Sequence, residues 1–164
     1  MANEMLTAGV FVAYAVETAY DTKPTTGYKK LPGITDISAI DIDPEMVDVT
    51  DLSDTKYRRY IPGLTDLGNQ WELTANKTNQ FVNAWKNLMT AYNAAVADNK
   101  GMWFAVVFPG EGAETFYVRG IPNILGLPDI SVGDKQTCTA RVTPNRVHGF
   151  DAKPTGTIEE PDTV

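Results

Sequence analysis

The stretch VDVTDLSDTKYRRYIPGLTDLGNQWELTAN occupies residues 47–76 and decides how the rest of the chain is interpreted. It combines a charged run with apolar and aromatic residues, and its Pro62-Gly63 pair predicts a turn. Residues 70–75 alternate polar and apolar side chains, which predicts a strand with one buried face. A polar connection this long inside a small domain is usually either disordered or functional.

We interpret residues 44–68 as an extended arm that contacts a neighbouring molecule. Tyrosine and arginine are enriched where two proteins meet. The arm carries both residue types in a polar segment without the periodicity that would bury them. The alternative is a loop that packs on its own domain. The predicted interface residues are Tyr57, Arg58, Arg59, Tyr60, Ile61 and Leu64.

Length and composition predict one globular domain in the cytoplasm. The chain has 164 residues, of which 43% are hydrophobic, and its net charge is −7. That charge argues against a groove that holds nucleic acid tightly, because such a groove needs clustered lysine and arginine. Cys138 is the single cysteine, so no internal disulfide is possible. The N-terminus lacks the basic region of a signal peptide, and the apolar run at residues 10–16 is too short to span a bilayer.

Short strands are predicted along most of the chain, and residues 70–75 and 136–143 alternate between apolar and polar side chains. In residues 10–16, valine and tyrosine share one face while Ala13 and Ala15 occupy the other. A later strand is expected to stop at Pro44. The predicted strands are residues 10–16, 36–43, 70–75, 103–108, 115–121 and 136–143, and two further extended pieces are predicted at residues 46–50 and at residues 124–132, the second broken at Gly126 and Pro128.

One helix is predicted at residues 79–99, with Asn79 or Thr78 as its N-cap and Gly101 closing its C-terminus. Its apolar stripe requires a sheet face to cover it. The stripe consists of Phe81, Val82, Trp85, Leu88, Met89 and Tyr92. The three tryptophans, Trp71, Trp85 and Trp103, are predicted to lie in the core.

The predicted ordered domain is residues 1–147, followed by a flexible tail at residues 148–164 that lacks periodicity. His148, the only histidine, stands where the ordered domain is expected to end, so we expect it to be exposed and uninvolved in catalysis. Cys138 is expected to be a buried small hydrophobic residue. No nucleophile–base set can be assembled, so we predict a protein that is not an enzyme.

No metal or cofactor site is predicted. Acidic residues recur between Asp41 and Asp54, but a calcium loop needs a central glycine and a closing glutamate, and Pro44 stands in the middle instead. A solvated acidic face is the alternative that we favour. Gly110-Glu111-Gly112 lacks the third glycine and the following helix of a nucleotide loop, so it is expected to be a hairpin turn.

The sequence resembles the tail tube (major tail) proteins of long-tailed, siphovirus-type bacteriophages. In that family an extended segment ending in D-V-T-x-L leads into K/R-x-Y-I-P-G-L-x-D, then a glycine and a strand. This chain has DVTDL at residues 48–52, RYIPGLTD at residues 59–66, and Gly68 before WEL at residues 71–73. The resemblance extends over about residues 10–143, through GITDI at residues 33–37 and IDPE at residues 42–45.

This resemblance implies a mainly β fold with one α-helix, a sandwich or barrel-like body and a long extended loop. It also implies hexameric rings of this chain, stacked into a hollow tube through which DNA passes without specific binding. The implied partners are other copies of the chain, a tape measure protein, a tail tip or baseplate initiator and a tail terminator, in a virion tail assembled in the host cytoplasm. An acidic lumen would repel phosphates, and the candidate lumen residues are Asp36, Asp41 and Asp43.

Two alternatives to a phage tail tube remain open at this stage. One is a β-sandwich binding module for carbohydrate or adhesion, with Tyr57 and Tyr60 as an exposed aromatic platform. The other is the tube protein of a contractile secretion system, a related ring-forming protein.

Overall fold

The structure is a computed structural model that describes residues 9–68 and 70–161. The strands are β1 (Phe11–Val16), β2 (Lys29–Lys30), β3 (Ile34–Ile37), β4 (Asp43–Asp48), β5 (Tyr60–Asp66), β6 (Trp71–Asn76), β7 (Met102–Val107), β8 (Thr115–Pro122) and β9 (Thr137–Asp151). One helix, α1 (Asn79–Ala97), lies between β6 and β7.

Seven of these strands form one antiparallel sheet in the order β2-β1-β7-β8-β9-β6-β3, and β4 pairs only with β5 in a separate two-stranded sheet. The predicted mainly β class with one helix is therefore confirmed. The large sheet is curved. Its edge strand β3 lines a cavity together with Val10, Val106 and Phe108, which lie in or next to strands towards the opposite end of the strand order.

The core lies on both faces of the sheet. On the concave face, Val12 and Tyr14 of β1 pack in one cluster with the apolar side chains of β6, β9 and α1. On the opposite face, Ala13 and Ala15 pack with Trp103 and the segment before β2. The predicted division of β1 into two faces is confirmed, and all three tryptophans are buried at 1% exposure.

Helix α1 covers the concave face with the predicted stripe. The side chain of Thr78 accepts a hydrogen bond from the backbone N–H of Phe81, so Thr78 is the N-cap. The helix ends at Ala97 rather than at residue 99, and Asn99, with φ 57°, takes the left-handed conformation that the sequence predicts for Gly101. Asparagine adopts this conformation at low cost, so the chain turns earlier than predicted.

The predictions for Pro44 and for Pro62-Gly63 were wrong. Pro44 lies inside β4 instead of stopping a strand, and Pro62-Gly63 lie inside β5 instead of forming a turn. In a two-stranded ribbon each strand is an edge, so a proline need not donate to a ladder. Gly63 leaves room for the partner strand, because a Cβ there would lie 3.2 Å from the carbonyl oxygen of Glu45. The strand predicted at residues 36–43 is also wrong, since β3 ends at Ile37.

Two further boundaries differ from those predicted. Residues 124–132, predicted as an extended piece broken at Gly126 and Pro128, contain no strand at all. Strand β9 continues past the predicted domain boundary at residue 147 and ends at Asp151. Phe150 is held there by ring contacts with Phe108 and Phe116, with centroids 5.9 and 5.1 Å apart. The predicted tail begins only after these contacts, and its last three residues, 162–164, lie outside the described residues.

Candidate assembly interface

The arm, residues 44–68, is mostly a β-hairpin rather than a long loop. Val47 pairs with Ile61 and Asp48 with Tyr60, while a register shift between Pro44 and Met46 bends the ribbon. Neither strand of the hairpin joins the seven-stranded sheet. An isolated two-stranded hairpin is marginally stable in water, so this arrangement favours a partner that covers it.

The tip of the arm is held by its own charges. Arg59 donates from Nε to Asp54 Oδ2 at 2.8 Å and from Nη2 to Asp51 Oδ2 at 2.9 Å. Its backbone N–H donates to Thr50 Oγ1 at 2.8 Å. Hydrogen bonds from Ser53 lower the pKa of the Asp51 carboxyl, which keeps the acceptor ionised. Arg59 is therefore engaged in hydrogen bonds within the arm that hold the tip in its conformation.

Arg58 differs from its neighbour, since its side chain is 75% exposed and its guanidinium lies 4.0 Å from Asp48. An exposed pair at that distance contributes little to stability. Arg58 is thus available to a partner at small cost.

Large apolar side chains cover the arm on the outside of the molecule. Leu64 is 87% exposed, Tyr57 73%, Tyr60 51% and Ile61 50%. Leu52 at the tip and Met46 on β4 are exposed as well. All six predicted interface residues therefore lie on the solvent-exposed surface of one hairpin. Exposed apolar side chains of this size on one hairpin make it a candidate interaction surface.

A second exposed apolar segment was missed by the sequence analysis. Residues 123–132 carry Ile124, Leu127, Ile130 and Val132, which are between 60% and 105% exposed. The segment was predicted only as an extended piece broken at Gly126 and Pro128, and its exposure was not anticipated. The informative signal was apolar character combined with Gly126 and Pro128, because those residues prevent the pairing that would bury it.

The three predicted lumen acids are exposed, but the structure does not gather them into one cluster. Asp43 opens β4 and faces Asp66 across the hairpin. Asp41 lies in the connection before β4. Asp36 lies on the edge strand β3, beside the apolar cavity. At the base of the arm, Asp43, Glu45 and Asp66 line one depression.

The edges of the large sheet are protected against unplanned pairing. Strand β3 has only four residues and exposes Asp36. Past Val142, where the pairing with β6 stops, β9 has no second strand partner among the described residues. There it carries Pro144 and left-handed Gly149, with two register shifts against β8. Short length, proline, bulges and charge all discourage edge pairing. The edge at β2 is covered by the later segment around Glu159.

A buried ion pair ties the end of β1 to β8. The side chain of Glu17 is fully buried, and its Oε1 accepts from Arg119 at 3.1 Å and from the N–H of Gly101. Burial opposes ionisation of Glu17, but the hydrogen bonds from Arg119 and Gly101 outweigh it and lower its pKa. Sequence reasoning did not single out Glu17, which directly follows the last residue of β1.

The described residues offer no arrangement typical of catalysis. His148 Nε2 lies 2.8 Å from Asp151 Oδ2, and the ring packs edge-on against Trp103 and Tyr117. Cys138 is buried, as expected. Within residues 9–68 and 70–161, no group of three or more His, Cys, Asp or Glu could hold a metal ion. In the same part of the chain, no helix has the length and apolarity needed to cross a bilayer.

No family model matches this sequence, and no curated protein matches it. Solved structures match it in fold. A chain from the cryo-EM structure of the anti-feeding prophage baseplate, 6-fold symmetrised, superposes with a TM-score of 0.59 at 10% identity, covering 92% of this chain and 96% of the other.

Two chains of an extracellular contractile injection system, PVC, also match. One, from its sheath/tube terminator in the extended state, has a TM-score of 0.56 at 15% identity and covers 89% of this chain and 96% of its own. Another, from its sheath–tube complex in the extended state, has a TM-score of 0.53 at 15% identity, with 91% and 92% covered. At such identities the likeness establishes a shared fold.

Proposed function

We propose that this chain is a structural, non-enzymatic subunit of a phage-tail-like tube, in which hexameric rings stack around a hollow channel. The observation that carries the proposal is the arm, a hairpin whose apolar side chains are exposed and whose strands pair only with each other. The fold likeness supports it. The three chains described above come from phage-tail-like particles, and each matches this chain over nearly its full length.

The arm is proposed as the joint between subunits of adjacent rings. Tyr57, Arg58, Tyr60, Ile61 and Leu64 would make the contact, while Arg59 keeps the tip in shape from within. A contact between different surfaces of identical subunits closes into rings or extends into filaments, depending on its rotation. The exposed segment at residues 123–132 is proposed as a second contact surface, since it has the same apolar character.

The contents of the channel distinguish two versions of this function. In a long-tailed phage the channel would pass DNA, and the excess of acidic residues would keep phosphates from adhering. In a contractile injection system the tube would be enclosed by a sheath. The second version is favoured by the solved structures, which belong to such systems. Imaging of native particles separates them, because a sheath around the tube identifies the contractile type.

Negative-stain electron microscopy of the concentrated protein tests the proposal directly. We expect tubes or stacked rings whose end views average with six-fold symmetry. Arg58→Glu combined with Leu64→Asp should leave the circular dichroism spectrum unchanged and abolish tubes. Glu111→Lys with Glu114→Lys is the control, because both side chains are exposed and lie in the turn between β7 and β8.

A monodisperse monomer at all concentrations, with every plausible nucleator added, would contradict the proposal. Binding of that monomer to glycans would favour the binding module, with Tyr57 and Tyr60 as its platform. Normal tubes from the Arg58→Glu, Leu64→Asp variant would show that the arm is not the joint.

A further inference from the structure

The segment that follows β9, residues 152–161, lies along the edge strand β2; we name it the strap. The backbone N–H of Lys30 donates to the carbonyl oxygen of Glu159 at 2.8 Å, and the N–H of Glu159 donates to Tyr28 at 2.9 Å. These two bonds form a parallel bridge on the outer side of β2. The strap therefore occupies backbone groups that would otherwise present an open sheet edge.

Few side-chain contacts hold the part of the strap next to β2, whereas hydrogen bonds anchor its first residues: Tyr117 donates to the carbonyl oxygen of Ala152 at 2.7 Å, and Lys153 donates to that of Gly110 at 2.8 Å. Most of its residues are exposed, and Ile158 is the residue that packs, half-buried, against the cluster containing Tyr28. The ion pair from Lys30 Nζ to Glu160 Oε2 is long at 3.9 Å and largely exposed. Farther back, the N–H of Thr155 donates to the carbonyl oxygen of Thr25 at 2.9 Å. Displacing the strap from β2 would thus cost little buried surface.

The protection of the β2 edge by the strap differs in kind from the protection of the unpaired edge of β9. There the proline, the left-handed glycine and the register shifts are part of the strand itself and cannot be removed. The edge at β2 is guarded only by a segment that can leave. An edge of this type is suited to β-strand addition, in which backbone bonds provide affinity and side chains provide specificity.

The chemistry of the edge selects an acidic strand. Lys29 and Lys30 make it basic, and the strap offers Glu159 and Glu160 in return. Strand β4 of the arm has the same character, with Asp43 and Glu45 next to the exposed Ile42, and its outer edge carries no strand among the described residues. Asp43 also lies opposite Asp66 in the register of the hairpin, so the acidic character extends to β5.

We propose that the strap is an internal substitute for β4 of a neighbouring copy: it covers β2 in the free subunit and is displaced by that acidic strand on assembly. This inference rests on the proposed function. The exchange replaces one set of backbone bonds by another, so it gains little by itself. Because the strap is tethered and competes at a high effective concentration, the other arm contacts must drive the exchange. Free subunits therefore stay single until several neighbours act together.

Amide hydrogen exchange at Lys30 and Glu159 tests the displacement. In the free subunit both amides should be protected, since each donates to a backbone carbonyl. In assembled tubes Lys30 should remain protected by the incoming strand, while Glu159 should exchange at least about tenfold faster than in the free subunit. Unchanged protection of Glu159 in tubes would overturn the inference and leave the tube function intact. Failure to form any tubes would overturn both.

Charge reversal tests which strand takes the place of the strap. Lys29→Glu with Lys30→Glu should yield folded subunits that form no tubes, because acidic β4 is then repelled. Adding Asp43→Lys with Glu45→Lys should restore tubes, whereas adding Glu111→Lys with Glu114→Lys should not. Recovery by both sets, or by neither, would show that β4 is not the occupant.

A variant that loosens the strap tests whether the strap restrains assembly. Ile158→Asp removes the one packed side chain of the strap, so tubes should form at a concentration several-fold lower than with the unchanged protein. Thr157→Asp adds the same charge at an exposed neighbour and should leave that concentration unchanged. Equal thresholds for the two variants would mean that the strap does not restrain assembly.

Discussion

Arg119 on β8 bonds the fully buried carboxylate of Glu17 at 3.1 Å and so joins the end of β1 to the opposite side of β7. Gly101 fits between them only because it has no side chain, since a Cβ there would lie 2.5 Å from the guanidinium. The Arg119 guanidinium also lies 3.8 Å from Asp21. These contacts fix the end of the sheet at which α1 returns to β7.

Removing the cation of this pair should destabilise the fold strongly. Arg119→Ala leaves Glu17 buried without its main partner, so we expect a loss of about 3–5 kcal/mol in the free energy of unfolding, measured by urea titration. Arg141→Ala is the matched control, because Arg141 pairs with Glu72 at the surface and should cost less than about 1 kcal/mol. Equal losses in the two variants would show that Glu17 is solvated.

Acid should weaken the fold through two carboxylates whose pKa is lowered in the folded state. Hydrogen bonds hold the pKa of Glu17 below its ordinary value, and the hydrogen bond from Lys23 lowers that of Asp151 most. A carboxyl whose pKa is lower in the folded state than in the unfolded state stabilises the fold at pH values above its unfolded pKa. This stabilisation is lost as the pH falls through its folded pKa. We therefore expect the free energy of unfolding to decrease when the pH is lowered below about 4.

Two variants, one for each partner of the Lys23–Asp151 pair, identify the contribution of Asp151 to this acid sensitivity. Asp151→Asn should flatten the decline in unfolding free energy below about pH 4, because the amide that replaces the carboxyl does not titrate. Lys23→Met should do the same through the cation, since Lys23 Nζ lies 2.9 Å from Asp151. A decline of the same steepness in both variants as in the unchanged protein would exclude Asp151 as a contributor.

Truncating Trp85 on α1 should create a cavity in the core. The side chain is 1% exposed, stacks near Phe81 with centroids 6.3 Å apart, and donates from Nε1 to the carbonyl oxygen of Asn123 at 2.9 Å. Trp85→Ala should cost about 3–5 kcal/mol in the unfolding free energy of the isolated subunit. Val96→Ala, on the exposed side of the helix, should cost far less. A loss well below about 1 kcal/mol for Trp85→Ala would indicate an exposed stripe.

Period-based reasoning predicted the elements that bury one face. The alternation in β1, β6 and the first half of β9, and the stripe of α1, follow directly from which side chains must leave water. The Thr78 cap was equally local, since its hydroxyl needs only the N–H of Phe81. Each of these features is encoded within a few residues of sequence.

The features that sequence did not reveal depend on contacts between distant residues or on missing contacts. Pro44 and Pro62 belong to strands only because the arm has no third strand to pair with them. Glu17 is buried because Arg119 comes to it from 102 residues away. Among the predicted interface residues, Arg59 proved to be bound within the arm, which charge and loop composition could not distinguish from exposed Arg58.

The tip of the arm should lose its shape when Arg59 loses its two carboxylate partners. Arg59→Ala removes the bonds to Asp51 and Asp54, so the amides of Ser53 and Asp54 should lose protection in hydrogen exchange. Arg58→Ala should leave these amides unchanged, because Arg58 makes only the 4.0 Å contact with Asp48. The global unfolding free energy should stay within about 0.5 kcal/mol in both variants, since the tip is a surface feature. If both variants changed tip protection equally, the tip would be shaped by its backbone turns, and Arg59 would become available to a partner like Arg58.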